Sequence, residues 1–137
     1  MLEVLHGLRP PGAVVRLVMG GVGDRTDDLL RGMGELGARG ADHVAIAHKA
    51  HYLRGRTTAE LEGLMREGAA TVGVHDVPAF PTELAGLQAV LGQALPADVI
   101  GVMCHAERAD LDRWLRGRGA TVDGPDDLRR KVLAAKG

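Results

Sequence analysis

Apolar and polar positions alternate along the chain in a pattern that predicts five strand–helix pairs. Short runs of Val, Leu, Ile and Ala predict strands, and apolar residues spaced three or four apart predict the helices between them. The strands are predicted at 14–19, 42–48, 71–75, 98–104 and 119–122, and the helices at 26–38, from 57, from 81, at 106–116 and from 125. This alternation is typical of an α/β fold, an open and mostly parallel sheet of about five strands with helices on both faces.

The first predicted helix has an apolar stripe and several glycines. Leu29, Met33 and Leu36, with Leu30 beside them, are predicted to form its buried face. Its glycines weaken the helix, by roughly 1 kcal/mol each relative to alanine. They also leave room for the helix to lie close to the sheet.

The chain is predicted to form one domain. Residues 1–12, which end in Pro10, Pro11 and Gly12, are interpreted as a lead-in or linker, and residues 13–137 as the α/β domain. A chain of 137 residues is long enough to bury one ordinary core.

A glycine turn follows the first strand, and it is the first candidate site. Residues 20–25 read GGVGDR, and such glycines let the backbone turn sharply and approach another group closely. Asp24 or Thr26 is predicted to cap the next helix, with Asp27 and Asp28 in its first turn. A strand, a glycine turn and a helix start form the usual ligand crevice of an open α/β sheet. The alternative is a capped helix and a tight turn that bind nothing.

The loop after the second strand is the second candidate site. Residues 48–56, HKAHYLRGR, hold five potential cations in nine positions. Arg54 and Arg56 flank a glycine, and two such guanidinium groups are suited to bidentate binding of a carboxylate or phosphate. The alternative is a solvated loop whose arginines pair with Glu60 or Glu62.

Four of the six histidines and the single cysteine are predicted at the ends of strands. One interpretation is a zinc site formed by His48, His75, Cys104 and His105, although the spacing matches no standard zinc pattern. A second is a Cys104 nucleophile with a histidine base. The simplest is that these side chains form hydrogen bonds to neighbouring loops or contribute to a polar ligand site.

Composition narrows the classes of partner. The formal net charge is −1 with interleaved signs, and the chain has one Phe, one Trp and one Tyr. It therefore has neither the basic surface nor the stacking residues typical of nucleic-acid binding, and nothing favours an anionic membrane. A single cysteine cannot form an intramolecular disulfide, and no signal peptide or long apolar run is evident, so we expect a cytoplasmic protein.

Together, the two candidate sites resemble a known family. The matching segments are GDR at 23–25 with Asp27 and Asp28 behind it, YLRGR at 52–56, LMREG at 64–68 and the strand–helix pairs that follow. The chain resembles the C-terminal domain of the Mur ligase superfamily, and looks most like the version found in cyanophycin synthetases. The resemblance covers roughly residues 13–115.

The resemblance implies a Rossmann-like domain of an ATP-dependent carboxylate–amine ligase. Such enzymes phosphorylate a carboxylate, and an amino group then attacks the acyl phosphate to form an amide or peptide bond. The family's central domain holds the P-loop, ATP and Mg²⁺, and the C-terminal domain closes over the nucleotide and positions a small amino-acid or peptide substrate. By that likeness Gly23, Asp24 and Arg25 face the nucleotide, and no residue of this chain is catalytic or a metal ligand.

The same likeness implies a second group of residues near the carboxylate of the amino-acid substrate. These are Lys49, His51, Arg54 and Arg56, with His105 and Glu107 more loosely placed at the substrate end.

Two features of the chain depart from the family. It contains no P-loop, and the Asn-Pro-Arg triplet of peptidoglycan ligases is replaced by KAHYLRGR. We therefore expect the isolated chain to be inactive, with a ligase central domain as its partner on the same gene or a separate chain. The alternative is a stand-alone ligand-binding or regulatory domain on the same fold, without catalysis.

Overall fold

The fold is a four-stranded parallel sheet with helices packed on both faces. The structure is a computed structural model that describes residues 1–21, 23–49 and 53–135. In chain order its elements are α1 (Leu2–Leu8), β1 (Val15–Met19), α2 (Asp27–Gly40), β2 (His43–Ala47), α3 (Thr58–Ala70), β3 (Ala79–Phe80), α4 (Glu83–Gln93), β4 (Val99–Val102), α5 (Arg108–Gly117) and α6 (Pro125–Ala135). The α/β class and the Rossmann-like open sheet are as predicted, with four strands instead of five.

The strand order places a ligand crevice at a definite point in the sheet. The strands lie in the order β3–β2–β1–β4, and Leu17 of β1 pairs with Val44 on one side and Gly101 on the other. The chain therefore moves from β1 to β2 to β3 and then returns to the far side of β1. In open parallel sheets, ligands bind outside the carboxyl ends of the strands at such a reversal, which here lies between β1 and β4.

Alternating side chains of β1 enter two apolar layers. Leu17 and Met19 pack with residues of α2 and α3 on one face, and Val18 packs on the opposite face in the layer that includes Val90 of α4. Burial on both faces explains why β1 has almost no polar side chain.

Close backbone approach joins α2 to α3. A Cβ added at Gly34 of α2 would overlap the carbonyl oxygen of Met65, and one added at Gly68 of α3 would overlap that of Arg31. The glycines of these helices thus let two backbones touch.

The buried face of α2 differs from the predicted one. Leu30 is fully buried, but Leu29 is 57% exposed and Leu36 is 63% exposed. The helix is oriented by its smallest residues, Gly34 and Gly37, because only these allow it to contact α3 and the side chain of Met19. The prediction was therefore wrong for Leu29 and Leu36, whereas Leu30 is buried as predicted and Met33 packs against the core.

Two predicted strands are absent from their positions. Residues 71–75 complete the end of α3, where the N–H of Val74 returns to the carbonyl of Ala69 and Gly73 has a φ of +84°. Residues 119–122 follow α5, where the N–H of Ala120 returns to the carbonyl of Leu115. These β-branched segments belong to helix ends because their backbone groups complete helical turns instead of pairing with a strand.

The segment interpreted as a lead-in contributes to the core. It contains α1, whose Leu5 is buried and packs against Gly101 of β4, in the space that a side chain at that position would fill. Among the described residues, no helix is both long enough and apolar enough to cross a membrane.

Candidate functional site at the carboxyl edge

The loops that follow β1, β2 and β4 hold the predicted site residues. All three strands run parallel, so these loops emerge at one edge of the sheet. Of the nine residues, His51 lies outside the described part of the chain, and the other eight lie at this edge. They are Gly23, Asp24, Arg25, Lys49, Arg54, Arg56, His105 and Glu107.

The turn after β1 is organised by its cap and by close approach. Thr26 is the cap of α2, and its hydroxyl accepts the N–H of Leu29 at 3.2 Å. Gly23 is buried, and a Cβ there would overlap the carbonyl oxygen of Leu53. Asp24 and Arg25 are exposed on this turn. The turn therefore rests directly on the arginine loop, as the sequence predicts for two loops on a common rim.

Arg56 joins the arginine loop to the glycine turn with all three nitrogens of its guanidinium group. Nε donates to the carbonyl of Gly23 at 3.1 Å, and Nη2 donates to the carbonyl of Arg25 at 3.2 Å. Nη1 pairs with the Asp27 carboxylate at 2.7 Å, in the first turn of α2. We call this set of contacts the Arg56 clasp.

Arg54 occupies a different position in the same loop. The N–H of Arg56 bonds to the carbonyl of Leu53 at 3.0 Å, which closes a four-residue turn. Both central residues have positive φ, 54° at Arg54 and 84° at Gly55, as in type I′ turns. A left-handed conformation is costly for arginine. Arg54 is exposed, and no hydrogen bond or ion pair joins it to another described residue.

Lys49 is buried, in contrast to the arginines. Its side chain passes beside Gly20 at the end of β1 and is 1% exposed. Its ammonium group pairs with the Glu83 carboxylate at 2.5 Å and donates to the carbonyl of Met103. Lys49 thus links the ends of β2, β1 and β4, and its charge is already compensated within the fold.

Glu83 and Glu107 each accept backbone N–H groups at or just before the start of the other's helix. Glu83, which is 0% exposed, accepts the N–H groups of His105, Ala106 and Glu107 at 2.9–3.1 Å just before α5. In return, Glu107 accepts the N–H of Leu84 at 3.1 Å in the first turn of α4. This reciprocal arrangement fixes the loop that carries His105, whose side chain is exposed.

These contacts determine the ionisation of Glu83. Burial raises the pKa of its carboxyl group, but hydrogen bonds from Lys49 and from the N–H groups of His105 and Glu107 outweigh burial. The net result is a pKa lowered to about 2. Glu83 is therefore a carboxylate at neutral pH and matches the charge of Lys49.

Sequence reasoning missed Glu83. Its only local signal is the PTE triplet at 81–83, which also describes an ordinary acidic first turn of a helix. The partner N–H groups lie 22 to 24 residues further along the chain, so only the fold reveals the contact.

The histidines do not gather at one point. His48 is buried on the α3 side of the sheet, where it bonds to Glu62 at 2.6 Å. His75 lies in the segment that precedes β3, at the amino edge, so the prediction that it shares an edge with Cys104 and His105 was wrong. Its placement depended on a strand at 71–75 that does not form. Among the described residues, no three His, Cys, Asp or Glu side chains are grouped to hold a metal ion.

Cys104 is poorly suited to nucleophilic attack. Burial and the neighbouring Glu83 carboxylate raise the pKa of its thiol above the ordinary value. The thiol is protonated at neutral pH, whereas reactive cysteines have lowered pKa values.

An apolar groove of about 490 Å³ opens beside the glycine turn. It lies between the start of α1 and α2, with Arg25 and Asp28 among its lining residues. The apolar lining includes Leu29, Leu36 and Met103, of which the first two are largely exposed. We call it the α1–α2 groove.

Comparison with models of known families gives no match for this chain. Comparison with the curated proteins also finds no significant match.

The geometry therefore offers two chemical features on one edge. One is an exposed cation, Arg54, held beside a glycine turn at a helix N-terminus, an arrangement suited to anionic ligands. The other is a rigid, charge-neutral support formed by Lys49 and Glu83, which positions the loop of His105.

Proposed function

We propose that this chain is the C-terminal domain of an ATP-dependent carboxylate–amine ligase. In this proposal the domain closes over ATP and Mg²⁺ held mainly by a separate central domain, and it positions the amino-acid substrate. The observation that carries the proposal is the Arg56 clasp. It brings together the GDR turn and the RGR loop, the two segments on which the family resemblance rests.

The proposed roles follow from charge and position. Arg54 is exposed and binds the carboxylate of the incoming amino acid, and Asp24 and Arg25 face the nucleotide from the adjoining turn. His105 faces the substrate from the far side of the crevice. Bound ATP and Mg²⁺ supply the phosphoryl group and neutralise its charge, while this chain orients the amine and excludes water.

The α1–α2 groove supports contact with the central domain. Its exposed Leu29 lies in the first turn of α2, directly after the turn assigned to the nucleotide, and exposed apolar patches mark protein–protein contacts. We assign the complex to the cytoplasm, where ATP is available and a single free cysteine is ordinary.

ATP turnover tests the proposal. The isolated chain is expected to release no ADP, because no P-loop is present in its sequence. Joined to the ATP-binding domain of the ligase encoded with it, the chain should support ADP release that depends on an amino acid. Arg54→Ala should raise the KM for that amino acid about tenfold or more, the effect of losing a charge-assisted contact. Robust ATP hydrolysis by the chain alone would overturn the proposal.

A stand-alone binding domain is the second candidate, and the exposed Arg54 guanidinium group supports it. Such a domain would bind an amino acid through Arg54 with no ligase partner and no turnover. Isothermal titration of the isolated chain with a panel of amino acids separates the two, since only the second requires binding without nucleotide.

A further inference from the structure

The two arginines of the RGR loop have different surroundings. Arg56 is partly buried, and its three guanidinium nitrogens contact Gly23, Arg25 and Asp27. Arg54 is exposed and is held in a left-handed conformation. The resemblance implies that both arginines bind substrate. In the structure, however, the Arg56 guanidinium group is already engaged by the glycine turn and Asp27.

We infer that Arg56 is a positioning residue for the nucleotide-facing turn, and that Arg54 alone of the pair meets the amino-acid substrate. The division deepens the proposed function and rests on it. Three directions of contact from one planar group fix the position of the turn in a way that a flexible ammonium cannot reproduce. Because Gly23 also rests on the Leu53 carbonyl, movement of either loop displaces the other.

This coupling makes the Arg56 clasp a link between the two substrates. Asp24 and Arg25 are attached to the carbonyls that Arg56 holds, so an altered clasp changes the nucleotide side of the site. Arg54 is a central residue of the loop turn, and no hydrogen bond or ion pair joins its side chain to another described residue. Truncation of that side chain to alanine therefore leaves the turn after β1 in place. Retention of a strained residue in a solvent-exposed turn is also consistent with a ligand contact.

The first arm of the test uses the chain itself, without nucleotide or amino acid. Heteronuclear ¹⁵N relaxation of the wild type, Arg56→Ala and Arg54→Ala reports the local order of residues 23–28 and 53–56. Arg56→Ala should lower the order of both segments together, and Arg56→Lys should not restore it. Arg54→Ala is the matched control and should leave residues 23–28 unchanged.

The second arm uses the chain combined with its ATP-binding domain. Arg56→Ala should raise the KM for ATP about tenfold, as expected when charge-assisted hydrogen bonds are lost. Arg54→Ala should instead raise the KM for the amino acid, and Arg54→Lys should recover part of that loss. A general loss of stability would not separate the two KM values in this way.

The two arms distinguish the failure of each proposal. Unchanged order in Arg56→Ala, or equal loosening in both alanine variants, overturns the positioning role. Equal changes in both KM values for both variants overturn the assignment of Arg56 to the nucleotide side and of Arg54 to the amino acid. If the order changes as expected but the wild-type mixture releases no ADP with any amino acid, the proposed function fails and the positioning role of Arg56 is upheld.

Discussion

At the scale of single residues, the central feature is the buried carboxylate of Glu83, which has no contact with solvent. In place of water, it is bound by the ammonium group of Lys49 and three backbone N–H groups. A buried charge is tolerated only when its partners are complete, and the benefit of the pair over an apolar substitute is small. Removal of one partner is costly for the same reason.

Glu83→Gln should destabilise the fold by about 3 kcal/mol, because it leaves the Lys49 ammonium buried without a counter-charge. Urea unfolding followed by circular dichroism measures the change in the free energy of unfolding. Glu60→Gln, at an exposed position in the first turn of α3, is the control and should change stability by less than about 0.5 kcal/mol. Equal stability of the two variants would show that Glu83 does not balance Lys49.

The low pKa of Glu83 also predicts a pH dependence. The value is about 2 in the fold against 4.5 for the free group, so its contribution is complete above about pH 4.5 and is lost as the pH falls toward 2. Urea unfolding at a series of pH values in this window should show wild-type stability falling faster than that of Glu83→Gln. The difference in slope should approach about 1.4 kcal/mol per pH unit. Parallel curves would contradict the assignment.

At the scale of elements, the α2–α3 contact shows how small residues decide helix orientation. Gly34 and Gly68 meet the backbone of the opposite helix, whereas Gly32 faces open space. A methyl group added at Gly34 would therefore clash with α3, whereas one added at Gly32, in the same helix, would meet nothing.

Gly34→Ala should destabilise the fold by about 1–3 kcal/mol, because its methyl group would overlap the Met65 carbonyl and separate the helices. Gly32→Ala, two residues earlier in α2, should stabilise it by up to about 1 kcal/mol through helix propensity. Thermal and urea unfolding of both variants measure these changes. Stabilisation by both substitutions would mean that α2 and α3 do not touch at Gly34.

The elements that the sequence predicted well are those with strong local signals. The cap of α2 at Thr26 is a side-chain contact within three residues, and it forms as one of the two predicted alternatives. The β1, β2 and β4 strands are largely apolar, with Arg16 in β1 and His43 at the start of β2 as exceptions, and all pair in parallel. The third strand was misplaced because its β-branched residues end a helix, and β3 itself has only two residues.

The site was predictable only in part, for a related reason. Motif spacing brought the turn and the arginine loop to one edge, since both follow strands of a parallel sheet. The partners of each side chain depend on contacts distant in sequence, 33 residues for Arg56 with Gly23 and 34 for Lys49 with Glu83. Periodicity carries no information on such pairs. The resemblance implies a place for Lys49 near the substrate, and it could not show that the Lys49 ammonium group contacts Glu83 and the carbonyl of Met103.

At the scale of the whole molecule, the proposed function depends on how the carboxyl edge meets the proposed ATP-binding domain. The glycine turn, the arginine loop and the α1–α2 groove are contiguous through Arg25, which belongs to the turn and lines the groove. A domain that presents ATP to the turn would cover the groove at the same time. Exposed leucines at that place would then be buried in the complex.

Leu29→Asp should weaken association with the proposed ATP-binding domain about tenfold or more, since it places a charge in an apolar contact in the first turn of α2. The chain should still fold, because Leu29 is 57% exposed in it. Leu95→Asp is the matched control, since Leu95 is 70% exposed but lies just before β4, at the amino edge. Analytical ultracentrifugation of each variant with the ATP-binding domain measures the affinity. Equal effects of the two substitutions, or none, would mean that the groove does not face that domain, because only the carboxyl edge carries the turn assigned to ATP.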